Sequence, residues 1–158
     1  MIRAEELMLG DIVTVNRSEC VADGGQYMTW KQDGKIILIE KDYVRVQYEI
    51  DEEDEWDDWE EVGLEDIEPI PITPEILERN GFKLKEKGVL YTEYVSGDEH
   101  SIIEFGFYKE SIHDIDTVLN CELGFVGGLD RIHHCHVKYV HELQHALRLC
   151  GISKNIEL

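Results

Sequence analysis

Glu68-Pro69-Ile70-Pro71-Ile72-Thr73-Pro74 holds all three prolines of this 158-residue chain, and it decides how the rest divides. Each proline fixes its own φ and pushes the residue before it toward extended backbone. The stretch 69–74 is therefore expected to be an extended connector between a first domain over 1–68 and a second over 75–158. Its end also starts a helix. Thr73 is a suitable N-cap, Pro74 suits the first helical position, Glu75 complements the helix dipole, and Asn80-Gly81 closes the element.

Ahead of the connector the chain reads as β. Residues 11–15 follow Gly10, residues 36–39 follow Asp33-Gly34, and residues 43–48 alternate with period two; a further short strand runs over 59–62. Several short strands joined by turns, with no room for a helix longer than one turn, predict a small SH3-like β-barrel. After the connector, residues 82–84, 89–95 and 101–108 are strand-like. Lys87-Gly88 and Ser96-Gly97-Asp98 separate them into an antiparallel meander. Residues 112–119 and 132–137 are weaker strand candidates. Gly124-Phe125-Val126-Gly127-Gly128 reads as a turn, and without a following Lys-Ser or Lys-Thr it is no phosphate loop. From about Lys138, apolar residues Val140, Leu143, Ala146, Leu147 and Cys150 recur at helical spacing up to a stop at Gly151. The expected class is α+β: the SH3-like barrel, then the meander with a short helix and a C-terminal helix.

Composition narrows the function classes. Hydrophobic residues make up 42% of the chain and aromatics 9%, as in a globular protein. No apolar run approaches the roughly 20 residues of a membrane-spanning helix. The start, Met1-Ile2-Arg3-Ala4-Glu5-Glu6, lacks the layout of a signal peptide, so cytoplasmic residence is expected. Cys20, Cys121, Cys135 and Cys150 should then be reduced, and no pair has the C-x-x-C spacing of a structural zinc site. Charge is the stronger constraint. Thirty-five acidic residues face fifteen basic ones, for a formal net of −20. Such a chain repels nucleic acid and anionic membrane rather than binding them. What remains is solubility alone, a basic protein partner, or mimicry of a nucleic acid's charge.

The acidity is concentrated. Residues 1–70 carry 21 acidic and 6 basic side chains, net −15, and ten of the thirteen residues from Glu49 to Glu61 are acidic. A run of this kind is ordinarily a solvated loop. Trp56 and Trp59 make this one less ordinary. With Glu55, Asp57 and Asp58 they form a candidate acidic-aromatic docking surface for a basic partner. The EF-hand calcium pattern, with its central glycine, is missing.

His141-Glu142-Leu143-Gln144-His145 spells H-E-x-x-H. On a helix His141 and His145 share a face and would hold a zinc while Glu142 activates its water. Zincins need a third protein ligand, and the thirteen residues after His145 offer only Cys150 and Glu157. An amphipathic helix with His141, His145 and Arg148 on a polar flank accounts for the segment without a metal. Upstream, His133-His134-Cys135-His136, if extended, splits its side chains between two faces. A composite site of Cys135 or His136 with His141 and His145 is the further metal reading. Ser18 and Cys20 have no His-Asp partner nearby in sequence, and no nucleophile is assigned.

Three stretches together resemble a family of small uncharacterised proteins encoded by gut anaerobes, their phages and their mobile elements. They are Glu5-Glu6-Leu7-Met8-Leu9-Gly10-Asp11-Ile12-Val13, the run from Glu68 to Phe82, and Val137-Lys138-Tyr139-Val140-His141-Glu142-Leu143-Gln144-His145-Ala146-Leu147. In that family the terminal helix reads Tyr-Val-His-x-Leu-Gln-Asn or similar. The resemblance implies that His141 is a shared position, whereas Glu142 and His145 are particular to this chain. It implies no activity.

The expectation is therefore a non-enzymatic cytoplasmic protein, of phage or mobile-element origin, that acts by protein–protein contact through its acidic first domain. No cofactor is assigned, and the partner is neither nucleic acid nor membrane; the sequence gives no oligomeric state. The alternatives are a zinc-dependent hydrolase using His141 and His145, and an acidic mimic of nucleic acid that blocks a DNA-binding protein.

Overall fold

In a computed structural model, residues 2–22, 26–48, 59–97, 101–108, 120–127, 130–149, 151–152 and 155–158 are described. The chain separates into two compact units, Met1–Ile70 and Pro71–Leu158, and the break falls inside the proline segment. The class is mixed α+β: mostly antiparallel strands in two sheets, with two helices.

Unit one is built from β1 (Ile12–Ala22), β2 (Gln26–Ile39), β3 (Tyr43–Gln47), β4 (Trp59–Gly63) and β5 (Ile67–Glu68). They pair antiparallel in the order β4-β3-β2-β1-β5. No pairing among the described residues joins β4 to β5, so the sheet is open there. Period-two burial is clear where the core lies. Val13, Val15, Ile36, Val44, Val46, Val62 and Ile67 face inward and are closed over by Ile2, Leu7 and Tyr48.

Two short signals set this core. Gly10 adopts φ +85°, which an L side chain disfavours, and so turns the chain into β1. Asp11 is fully buried; its carboxylate accepts from the Met8 amide at 2.7 Å, and its carbonyl from the Ile36 amide at 2.9 Å. Gly34 is not a turn residue. It lies inside β2 opposite Val13, where a Cβ would collide with Val46 Cγ1 and stand 3.0 Å from the Tyr48 ring. The glycine lets both side chains cover the core at that point.

The β1–β2 hairpin is longer than its apolar pattern. Pairing continues from Ile12↔Lys35 out to Ala22↔Gln26. Beyond Val15 its residues are largely exposed, Val21, Tyr27 and Met28 among them. With no core beneath, alternation disappears from the sequence although the ladder goes on.

Unit two contains α1 (Pro74–Arg79), β6 (Lys83–Lys87), β7 (Tyr91–Gly97), β8 (Ser101–Tyr108), β9 (Asn120–Gly127), β10 (Asp130–His136) and α2 (Val140–Leu149). Its sheet runs β10-β9-β8-β7-β6, antiparallel throughout. Of the turn expected over Gly124–Gly128, residues 124–127 are instead part of β9, paired on both sides, and Gly128 lies outside the described residues: Gly124 stands between Glu104 and His134. Two ladders override the low strand propensity of glycine. The strand expected over 112–119 lies outside the described residues. Pro71 bridges to Tyr139, and the Ile72 amide donates to the Lys138 carbonyl at 3.1 Å, so the connector's second half is part of this unit.

Both helices end as their sequences predict. Thr73 Oγ1 accepts from the Ile76 amide at 3.3 Å. Gly81 and Gly151 take φ +76° and +72°, and each closes a paired set of C-terminal hydrogen bonds with the residue after it. The core takes Leu77, Phe82, Tyr94, Ile103, Phe105, Phe107, Val140, Leu143 and Leu147. Asn80, itself buried, clamps the tail: its Oδ1 accepts from the Glu157 amide at 2.9 Å and its Nδ2 donates to the Glu157 carbonyl at 2.7 Å. Ile156 is buried beside it in sequence. Asn80→Ala should cost about 1 kcal/mol or more in denaturant unfolding, because it leaves part-buried backbone groups without their partner. The same variant should lose its last residues to carboxypeptidase sooner than the parent.

Candidate functional site

In α2, Glu142 sits on the first turn. Its Oε2 accepts from the Lys138 amide at 2.6 Å and from the Tyr139 amide at 3.1 Å. This is the glutamate half of a capping box, satisfying amides that a helix start leaves unpaired. The carboxylate therefore looks back along the chain, away from the role of water-activating base. His141 is buried, with its ring stacked on Tyr139 at 5.9 Å and edge-on to His145 at 5.8 Å. The expected polar flank of His141, His145 and Arg148 is thus partly interior: His141 is buried, His145 half-buried and Arg148 exposed.

Among the described residues no three His, Cys, Asp or Glu side chains converge to hold a metal ion. Cys135 is half-buried and His136 exposed at the end of β10. His133 and His134 are placed by register alone, opposite Phe125 and Gly124. Of the two sequence candidates for a third zinc ligand, Cys150 lies outside the described residues, and the backbone of Glu157 is engaged by Asn80.

The acidic surface of unit one is the second candidate. Glu55, Trp56, Asp57 and Asp58 lie outside the described residues. Trp59 opens β4 and is 44% exposed, with the Arg45 guanidinium over its ring at 4.4 Å from the centroid. Arg45 also reaches Glu61 Oε1 at 2.8 Å. β3 and β4 pair Arg45 with Glu61 and Gln47 with Trp59, which sets these four on the face of the edge opposite the core.

On the core face, the register brings together a group that short sequence patterns miss. Arg17 stands opposite Trp30, two residues beyond the buried Val15. Its guanidinium lies 5.4 Å from the Trp30 ring centroid and 4.7 Å from that of Tyr48. Nη1 donates to Gln32 Oε1 at 2.6 Å, and Nη2 to Glu60 Oε2 at 2.9 Å. The Tyr48 hydroxyl donates to Glu60 Oε1 at 2.5 Å. Five residues from separate parts of the sheet so form a cationic centre with aromatic and acidic walls at the edge of the core. The sequence signal for it is an arginine and a tryptophan at directly opposed positions, visible only once the long hairpin is in register.

Four of the unit's six cations stand in ion pairs within it. Arg3 pairs with Glu5 and Glu6, Arg17 with Glu60, Lys31 with Glu68, and Arg45 with Glu61. Hydrogen bonds from Lys31 and Asn16 hold the Glu68 carboxyl below the usual carboxylate range. The acidic excess of the unit stays uncompensated from within.

Compared with known protein families, curated proteins and solved structures, the chain matches none. For α2 the geometry itself makes a prediction. Glu142→Ala should lower stability by about 1 kcal/mol through loss of the cap. Glu142→Gln, whose amide oxygen can still accept from the same amides, should lose less. Equilibrium unfolding of both variants, with and without a zinc chelator, checks this; a chelator-dependent midpoint would contradict the capping role.

Proposed function

We propose that this protein acts without catalysis, by binding a basic protein partner through its acidic first unit. The observation that carries this reading is the charge distribution. Residues 1–70 hold 21 acidic side chains against 6 basic, and four of those six are already paired within the unit. An uncompensated field of this size attracts polycations and speeds their encounter. Trp59, exposed at the β4 edge beside Glu60 and Glu61, supplies an aromatic anchor within that field.

An SH3-like form for the first unit is part of the proposal. Five antiparallel strands, with the last returning to the first at β1–β5, support it. An origin in a phage or mobile element belongs to it as well, resting on the sequence resemblance, and cytoplasmic residence is part of the same proposal. The zinc-hydrolase alternative gains no support from a Glu142 that caps its own helix.

Binding of an arginine- and lysine-rich peptide, followed by calorimetry, tests the reading. A saturable one-to-one complex is expected, weakening several-fold between about 50 and about 300 mM salt as the Debye length falls from roughly 14 to roughly 6 Å. Trp59→Ala should weaken it by roughly tenfold. A peptide that fails to bind at low salt, or binds without saturation, would count against a specific contact.

A further inference from the structure

The walls around Arg17 have the composition of a site that recognises a guanidinium. Trp30 and Tyr48 offer ring faces, Glu60 a carboxylate and Gln32 an amide oxygen. We propose that Trp30, Gln32, Tyr48 and Glu60 form a seat for an arginine side chain of the basic partner, and that Arg17 is the chain's own occupant of that seat. The inference rests on the basic-partner reading above and gives it a specific contact.

Three observations support exchange at this site. First, two of the four walls are held by contacts that do not involve Arg17. Tyr48 is buried in the core cluster, and its hydroxyl fixes Glu60 through Oε1, leaving Oε2 toward the cation. A preformed seat binds with little reorganisation. Second, the occupant comes from a different strand, β1, on a long stem. Its side chain is 25% exposed and that of Glu60 is 33% exposed, so the ion pair can be reached from solvent. The pair is open to solvent on one side, and a competing guanidinium drawn in by the acidic field can make the same contacts. Third, the hairpin's core-facing stripe does not end at the seat. Glu19 and Met28, the next opposed pair, lie beyond it and are exposed, giving an incoming chain an acidic and an apolar contact beside the cation.

Arginine suits the seat better than lysine. Its planar fork stacks on rings while donating to two acceptors at once, as Arg17 does here with Gln32 and Glu60. A purely structural clip, holding β1 to β4, is the competing account of the same contacts.

The full-length protein decides between them. The probes are a short acetyl-Gly-Arg-Gly-amide peptide, its citrulline counterpart, and a long Arg/Lys-rich peptide, each titrated by calorimetry into wild type, Arg17→Lys and Arg17→Ala. With the seat emptied in Arg17→Ala, the short arginine peptide should bind at least about tenfold tighter than to wild type, and the neutral citrulline peptide should not bind. Arg17→Lys keeps a packed stem and a charge, so it remains folded and should fall between the two; it carries the test if Arg17→Ala unfolds. Adding Trp30→Ala to the Arg17→Lys background should remove the gain. Equal affinity for the short peptide in all folded variants would overturn the seat. If the long peptide still binds all of them, the acidic-surface reading survives that loss. Failure of every basic peptide with every variant would remove both.

Discussion

The register of β1 on β2 is the constraint on which the first unit depends. Val13 opposite Gly34 allows Val46 and Tyr48 to close over the sheet. Two pairs further out, the same ladder sets Arg17 opposite Trp30. A slip of one residue would move every side chain to the other face. It would put valines into water, present a Cβ where Val46 and Tyr48 need space, and break up the group around Arg17. The buried Asp11 turn, bonded through its backbone to Ile36, fixes that register at the base of the hairpin. A single local device thus determines both the core and the candidate site.

Charge acts on a different scale. At net −15 the first unit repels itself, and each internal ion pair offsets only a little of that, since pairs this exposed contribute at most about 1 kcal/mol. Stability must come from the apolar cluster and from the ladders. On the proposed function, the acidity serves contact. A solvated surface needs far less charge to stay soluble, whereas a strong one-signed field raises the encounter rate with an opposite partner. Arg17 and Arg45 are each laid over a tryptophan, the contact that the proposed arginine of a partner would repeat.

Elements with a core beneath them were legible in the sequence, and those without were not. The caps of α1, the stop at Gly151, β3 and β8 all follow from turn chemistry and apolar spacing. The outer half of the β1–β2 hairpin does not, because both of its faces meet solvent and alternation has nothing to report. β9 was hidden for another reason: its glycines look like a turn, and only the flanking strands β8 and β10 make them a ladder. The group around Arg17 is a third case. Its members lie up to 43 positions apart and meet only through the sheet. Local patterns cannot display such a site.

The same distinction between pattern and geometry governs α2. H-E-x-x-H describes spacing on a helix, and this chain has that spacing. What a zinc site also requires is that the glutamate face the metal-bound water and the two imidazoles turn toward a common point. Here Glu142 is one turn from the helix start, where two unpaired amides lie within its reach and the helix dipole favours a negative charge. His141 spends its ring face on Tyr139. A glutamate at the third position of a helix and a histidine buried against a tyrosine are ordinary solutions to capping and packing. Capping accounts for the direction of Glu142 and packing for the His141 ring face, and neither follows from the spacing of the motif.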